Sequence, residues 1–377
     1  MPRYQRLLAA LVFFTVLSGV MAQDLTGFRK GEWRPQDIPD GYYATSIGRY
    51  QFQSSLPKDV IARIGKHMNA MFKVYSRHYP STKTPRENLV IKVFPDRKAY
   101  LGYGASPGTG GFYSPTDKEM VGFYTGVLGG DAAAPQTTGS KSESTRSKLR
   151  QRMTIDTIGV FSHEGWHQYF HWSCGSQVPF PAWCDEGIGE YYYSAWLKGE
   201  ELILGAPNDY RLPVIQDAIA NNQHVPLKDL VRFEQQQYYQ NPSVCYAEGW
   251  ALVHFFFEHP DWKAKNFVPK FVAVFKDQHS IEKTLAIACK GMDWDAIEKD
   301  FKAWTMAIPP EAIDEDADDE DSAFLRALLG PKDRYKKYYD ALRPDVKKAL
   351  DSCVARRRSV VERAGAEKPA VDKPATK

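Results

Sequence analysis

The feature that most constrains this 377-residue chain is the pattern His-Glu-x-x-His at residues 163–167, which follows a mostly apolar stretch, residues 155–161. The apolar stretch favours a helix within a core. On a helix, His163 and His167 lie four residues apart on one face, with Cβ atoms about 5–6 Å apart, which suits two ligands of one tetrahedral Zn²⁺. Glu164 lies beside them, where it can accept a proton from water activated by the metal. A core helix with two buried histidines is the alternative, but burying these ionisable groups without a metal or partners would cost several kcal/mol.

A second segment, residues 181–191, supplies a third zinc ligand. A catalytic zinc site needs three protein ligands and one open position. Eighteen residues separate His167 from Glu186, and Glu190 follows one helical turn later on the same face. Glu190 can therefore orient a ligand histidine through the second nitrogen of its ring. The sequence predicts one Zn²⁺ per chain, with His163, His167 and Glu186 as its ligands.

These two segments resemble the gluzincin metallopeptidases, in which a His-Glu-x-x-His helix is followed by a ligand glutamate on a second helix. The pattern Trp-x-Asp-Glu-Gly-x-x-Glu-Tyr at residues 183–191 is most similar to peptidase-MA-like domains, a largely uncharacterised bacterial branch. A metzincin would need a third histidine six residues after His167, where this chain has Ser173. The resemblance extends over about residues 45–305 and implies an α+β, zincin-like fold. In that fold a mixed strand-and-helix N-terminal lobe and a helical C-terminal lobe meet at the metal site.

A third motif, Tyr-x-x-Gly at residues 246–249, resembles the start of a helix in the M1-type aminopeptidases. In those enzymes the tyrosine hydroxyl stabilises the tetrahedral intermediate, and the resemblance implies the same role for Tyr246. The alternative is an ordinary packed tyrosine, since the chain has 21 of them. The Gly-x-Met-Glu-Asn stretch that holds the free amine of an aminopeptidase substrate is missing from this sequence, which argues against aminopeptidase activity.

A β-hairpin is predicted around residues 108–124, with its turn at residues 117–118. Zincins hold an extended peptide against a strand at the edge of a sheet, by β-augmentation. Gly110 and Gly111 would allow a close approach of the two backbones. Gly110, Gly111 and Phe112 are therefore candidate substrate-binding residues, with an ordinary hairpin as the alternative.

The spacing of apolar residues predicts the other elements. Strands are expected at residues 50–54 and 88–94, the second of them central in its sheet. Helices are expected at residues 57–75, 96–103, 150–172, 186–196, 212–220, 226–233, 246–258, 267–275, 280–288 and 294–304. Residues 129–147 are rich in Ser, Thr, Ala and Gly and are expected to form a surface loop, either a lid or a linker.

The sequence divides into three predicted regions. Residues 1–22 have the features of a signal peptide: a basic start, an apolar stretch at residues 7–20 and small residues before the expected cleavage site. A catalytic domain follows at residues 23–308, with its N-terminal lobe at about 45–172 and its helical lobe at 173–308. Residues 309–377 comprise an acidic linker, a helical segment and a tail expected to be disordered.

The predicted location is outside the cytoplasm, periplasmic or extracellular. The apolar stretch of about fourteen residues is short for a membrane span of roughly 20, so no stable span is expected after cleavage. An uncleaved anchor is the alternative. Five cysteines would then meet an oxidising compartment: Cys174, Cys184, Cys245, Cys289 and Cys353. Either Cys174 and Cys184 form a disulfide bridge, or the cysteines are small buried thiols. Because the number of cysteines is odd, at least one is unpaired in either case.

The predicted function is that of an exported zinc peptidase in which Glu164 is the general base. The formal net charge of +3 gives no indication of a nucleic-acid partner, so the expected partner is a peptide or protein substrate. Two other functions stay open: a metallohydrolase of non-peptide amides or esters, and a catalytically silent zincin-fold binding protein. The sequence leaves cleavage specificity and oligomeric state undetermined.

Overall fold

The computed structural model describes residues 28–82, 89–126, 128, 156–175, 180–309 and 334–366. These residues form an α+β fold with a five-stranded sheet and many helices, so the predicted α+β class is confirmed. Four predicted segments lie outside the described residues: the signal peptide at 1–22, the loop at 129–147, the acidic run at 314–321 and the tail beyond 366.

The elements follow in this order. The strands are β1 (Tyr43–Ile47), β2 (Tyr50–Ser54), β3 (Leu89–Phe94), β4 (Gly111–Ser114), β5 (Glu119–Phe123), β6 (Trp196–Lys198) and β7 (Glu201–Ile203). The helices are α1 (Lys58–His78), α2 (Arg97–Gly102), α3 (Thr157–Cys174), α4 (Ala182–Tyr193), α5 (Leu212–Ala220), α6 (Leu227–Leu230), α7 (Gln235–Tyr238), α8 (Pro242–Glu258), α9 (Pro260–Lys265), α10 (Phe267–Gln278), α11 (Ile281–Ala288), α12 (Trp294–Ala307), α13 (Arg334–Ala341) and α14 (Pro344–Ala366).

The sheet has the strand order β1-β2-β3-β5-β4. Its three inner strands pair in parallel, and each outer strand pairs antiparallel with its neighbour. Strand β3 is the central one, as predicted, because its residues are apolar and buried almost throughout. Strand β4 lies at the edge, and its predicted hairpin with β5 is confirmed.

Helix α3, which carries the His-Glu-x-x-His pattern, packs between the sheet and helix α1. The Tyr75 hydroxyl on α1 donates to the Ser162 carbonyl oxygen at 2.6 Å, and His67 Nε2 lies 2.8 Å from the Ser162 hydroxyl. On the sheet side, the Gln168 amide donates to the Val90 carbonyl oxygen at 3.0 Å. These contacts fix α3 along its length, so its side chains project from a rigid support.

Helices α4 and α8 cross at very close range. A Cβ atom built on Gly187 would lie 2.4 Å from the carbonyl oxygen of Gly249, which explains why both crossing residues are glycine. The core around this crossing is dominated by buried aromatic side chains such as Trp183 and Trp250. Helix α14 adds Leu350 to the same core, so the predicted helical segment beyond residue 309 packs onto it.

Several helix bounds differ from the predicted ones, and three helices show the physical reasons. Helix α3 begins at Thr157, not at residue 150, because the extended Asp156 caps it by accepting from the Ile158 N–H at 2.9 Å. The helix predicted at 186–196 is α4; it starts at Ala182 and ends at Tyr193, and the chain then enters the β6–β7 hairpin. Helix α8 begins at Pro242, four residues before the predicted start, because proline is well suited to the first helical turn.

All five cysteines lie among the described residues, and no disulfide joins any two of them there. Of the two alternatives given for Cys174 and Cys184, a disulfide bridge or thiols, the structure therefore has the thiols. Four of the five cysteines are buried, which fits the alternative that they are small core side chains. Within the described part of the chain, no helix is long and apolar enough to cross a membrane.

Glu248 on α8 should make the stability of the fold depend on pH. Its side chain is fully buried, and burial raises its pKa to about 8, even though the Val225 N–H donates to it at 2.9 Å. The folded chain keeps this proton while the unfolded chain loses it above its ordinary pKa of 4.5. The free energy of unfolding should therefore fall as pH rises from about 4.5 to about 8 and level off above that.

We expect Glu248→Gln, which cannot ionise, to lose that part of the pH dependence. The stability of the variant relative to the wild type should rise between about pH 5 and about pH 8, as measured by denaturant unfolding across this range. The exposed Glu282 provides a control, because its side chain is in water in both states, and Glu282→Gln should follow the wild-type profile. A constant difference between Glu248→Gln and wild type at every pH would contradict the expectation.

Candidate metal centre

The structure brings together the three side chains that the sequence predicts as metal ligands. His163 Nε2 lies 3.2 Å from Glu186 Oε2 and 3.0 Å from His167 Nε2, and His167 Nε2 lies 3.6 Å from the same glutamate oxygen. One donor atom from each residue lies within 4.8 Å of the others. The two histidines project from α3, and Glu186 projects from the packed face of α4. Two imidazoles and one carboxylate are a donor set that suits zinc.

Each histidine has a carboxylate at its other ring nitrogen. His167 Nδ1 lies 3.0 Å from Asp185 Oδ1, which also accepts from the Trp166 indole N–H at 3.0 Å. His163 Nδ1 lies 3.5 Å from Glu190 Oε1, in the place that the sequence predicts for Glu190. Such partners select the tautomer that leaves Nε2 available as a ligand. The part played by Asp185 is not predicted from the sequence, although Asp185 belongs to the motif at residues 183–191.

Glu190 is itself held firmly. Arg211 donates to it twice, at 2.9 Å to Oε2 and at 2.6 Å to Oε1, and the Asn208 amide donates to Oε2 at 3.0 Å. Gly189, one residue earlier, lies against the ring of His163: a Cβ atom there would be only 2.8 Å from ring atoms. Neither Arg211 nor Asn208 is predicted from the sequence, because both precede α5 in a segment without a motif.

Glu164 lies between α3 and the edge strand β4. The backbone N–H of Tyr113 donates to its carboxylate, and a Cβ atom on Gly111 would lie 3.4 Å from Glu164 Cγ and 2.5 Å from Val160 Cγ1. Gly111 thus lets helix α3 pack closely against β4, and Gly110 immediately precedes the strand. The approach of a substrate backbone to these glycines stays a prediction. Phe112 points to the other face of the sheet and packs against Tyr100. The backbone of β4, not the side chain of Phe112, therefore borders Glu164.

Tyr246 lies near the centre, with another tyrosine between it and the ligands. The Tyr239 hydroxyl, just beyond α7, donates to Glu186 Oε1 at 2.6 Å. The hydroxyls of Tyr239 and Tyr246 are hydrogen-bonded to each other, and the guanidinium of Arg211 lies 5.1 Å from the centre of the Tyr246 ring. Tyr239 is not predicted from the sequence. It belongs to no recognised motif, and only the folding of the chain brings it to Glu186, 53 residues away.

The charges around the two imidazoles are predominantly negative. The ionisable neighbours are Glu164, Asp185, Glu186 and Glu190, together with the single guanidinium of Arg211. Burial opposes the ionised form of Glu186, but hydrogen bonds from His163 and His167 outweigh it and hold the pKa of Glu186 well below its usual range. Burial similarly opposes a proton on His167, yet Asp185 raises the pKa of His167 well above its usual value. Such an excess of buried carboxylates favours a bound cation.

Glu164 differs from the other carboxylates. Burial raises its pKa, and the nearby histidines partly oppose that rise. A carboxylate with a raised pKa is better suited to taking up and returning a proton than one that is held charged. Glu164 therefore has the environment of an acid–base group, whereas Glu186 has that of a charged ligand.

Residues 156–272 match a protein family described as "Protein of unknown function (DUF1570)". No curated protein matches the chain. The matched span begins at the capping residue of α3 and ends within α10. It contains the three predicted ligands, Glu164 and both tyrosines of the centre, but not strand β4.

Proposed function

We propose that this protein is a zinc-dependent peptidase of the gluzincin type. The observation that carries the proposal is the convergence of His163, His167 and Glu186, whose donor atoms lie within 4.8 Å of one another, with Glu164 beside them. Convergence of this kind is not expected for two histidines that merely fill a helix core, because isolated buried ionisable groups are unfavourable. The proposal includes a zincin-like fold, with the metal bound between a sheet-containing lobe and a helical lobe. It also includes export, on the strength of the sequence of residues 1–22.

The residues around the metal would either bind it or orient the residues that bind it. His163, His167 and Glu186 would hold the metal. Asp185 and Glu190 keep the two imidazoles oriented through their other ring nitrogens. When bound, zinc supplies a Lewis acid and lowers the pKa of a coordinated water toward about 7.

The remaining chemistry belongs to side chains and backbone of the chain. Glu164 accepts the proton from water as it attacks the scissile carbonyl, and later returns it to the leaving amine. The Tyr113 N–H fixes the orientation of the Glu164 carboxylate. Tyr246 supplies a phenol donor for the developing oxyanion; burial first, and then the charge of Glu186, raise its pKa well above the usual value, so it remains protonated.

Strand β4 supports a peptide as the substrate. It lies at the edge of the sheet, and its β5-facing side is already paired. Among the described residues no further strand pairs with β4 on its other side. An extended peptide could add there, where main-chain groups provide affinity largely independent of sequence. Because β4 borders Glu164, a peptide bound there would bring its carbonyl groups close to the base.

The proposal is tested by the zinc content of the purified mature protein. We expect about one Zn²⁺ per chain in the wild type, and loss of the metal from both His163→Ala and His167→Ala. Metal content is measured by elemental analysis after dialysis against a weak chelator, and folding is checked by circular dichroism.

His171 provides a matched control. It follows His167 by four residues on the same helix, repeating the spacing of the predicted pair, but it is not one of the three converging residues. His171→Ala should therefore retain zinc. Equal zinc in the wild type and in both ligand variants would refute the proposed metal centre.

A further inference from the structure

The two carboxylate oxygens of Glu186 have different partners. Oε2 faces the histidines, at 3.2 Å from His163 Nε2 and 3.6 Å from His167 Nε2. Oε1 accepts a hydrogen bond from the Tyr239 hydroxyl at 2.6 Å. One oxygen is thus directed toward the place where a metal would bind, and the other is engaged by a phenol.

Tyr239 is connected to the opposite side of the centre through a chain of contacts. Its hydroxyl is hydrogen-bonded to that of Tyr246, whose ring lies 5.1 Å from the guanidinium of Arg211. Arg211 pairs with both oxygens of Glu190, and Glu190 lies 3.5 Å from His163 Nδ1. Arg211 therefore contacts both Glu190, which lies beside His163, and Tyr246, which lies beside Tyr239.

We propose that Tyr239 is a positioning residue that makes Glu186 a one-oxygen ligand. This inference rests on the proposed zinc centre. A carboxylate can bind a metal through one oxygen or through both. While Tyr239 engages Oε1, only Oε2 is available, so the protein supplies three donor atoms and leaves one position open for water or substrate. Without the Tyr239 hydroxyl, Glu186 can turn and offer both oxygens, which fills the open position.

A purely structural role for Tyr239 has a different consequence. The side chain is about 44% exposed, so its ring contributes little to the core. Replacement by Phe keeps the ring and removes only the hydroxyl. A structural tyrosine would therefore tolerate this change with no effect on metal coordination.

The test uses metal-free full-length mature protein to which Co²⁺ or Zn²⁺ alone is added. Four-coordinate Co²⁺ has more intense visible absorption bands than five-coordinate Co²⁺, so the spectrum reports the number of donor atoms. For Tyr239→Phe we expect weaker bands at full occupancy, because both oxygens of Glu186 then bind. We also expect Zn²⁺ affinity to change by about 10- to 100-fold, the usual effect of losing the partner of a ligand.

Tyr339→Phe is the matched control. The Tyr339 hydroxyl also donates to a carboxylate, that of Asp351 at 2.9 Å, but in the pair of C-terminal helices. This variant should have the wild-type spectrum and affinity. A Tyr239→Phe protein that is also identical to the wild type in both measurements would overturn the inference and leave the zinc centre intact. Failure of the wild type to bind either metal would instead overturn the proposed function, and this inference with it.

Discussion

Replacement of Glu164 by Gln should leave zinc bound and lower turnover by about 10²–10⁴-fold. Gln keeps the size of the side chain and an oxygen that can still accept from the Tyr113 N–H, but it cannot take a proton from water. The centre should therefore keep its geometry and lose its base. The measurement is cleavage of a broad peptide library by the mature protein, followed by kcat/KM on the best-cleaved sequence.

Two comparisons make this result interpretable. Zinc content should be equal in Glu164→Gln and in the wild type, which separates loss of the base from loss of the metal. The His163→Ala protein, without metal, gives the background rate. Full turnover by Glu164→Gln would assign proton transfer to another group. Wild-type protein that holds zinc but cleaves only non-peptide amides or esters would favour the alternative hydrolase, with Glu164 in the same role.

Elements whose own residues carry a strong signal could be predicted from the sequence. Strand β3 (Leu89–Phe94) is a short apolar run, and α1 (Lys58–His78) repeats apolar residues at helical spacing. The helix predicted at residues 280–288 is α11 (Ile281–Ala288), and the Ser280 hydroxyl caps it by accepting from the Lys283 N–H. In each case the information is local, within one or two helical turns.

Other elements are defined by their neighbours and could not be predicted in this way. Strand β1 (Tyr43–Ile47) is mostly half-buried and depends on pairing with β2 at the edge of the sheet. Strands β6 and β7 have three residues each and exist as a hairpin. The helix predicted at residues 186–196 includes Trp196, but the observed helix ends at Tyr193 and Trp196 begins β6. Apolar spacing alone does not distinguish a helix end from a following buried strand.

The same distinction applies to the candidate centre. The positions of His163, Glu164 and His167 follow from the geometry of one helix, so their spacing in the sequence was sufficient. Arg211 meets Glu190 across 21 residues, and Tyr239 meets Glu186 across 53. Neither has a neighbouring residue that would reveal its partner. The converging residues can thus be predicted from a motif, whereas those that hold them in place depend on the packing of α4, α5 and α8.

Replacement of Tyr246 by Phe should lower kcat by about 10²–10³-fold, the usual effect of removing one donor to an oxyanion, with little change in KM. The oxyanion does not exist in bound substrate, so an interaction with it affects only the transition state. Phe keeps the ring beside Arg211, and the fold should be preserved. The measurements are kcat and KM on a library-derived peptide, with zinc content determined on the same sample.

The position of Tyr246 behind Tyr239 allows three roles to be separated with this one variant. An oxyanion donor predicts low kcat together with the wild-type Co²⁺ spectrum, because the Tyr239 hydroxyl still engages Glu186 Oε1. A tyrosine that serves only to support Tyr239 predicts the spectral change expected for Tyr239→Phe. A tyrosine that is merely packed predicts wild-type kcat and spectrum. Burial and the charge of Glu186 both raise the pKa of Tyr246, so its phenol stays protonated near neutral pH, and the deficit in kcat should not depend on pH there.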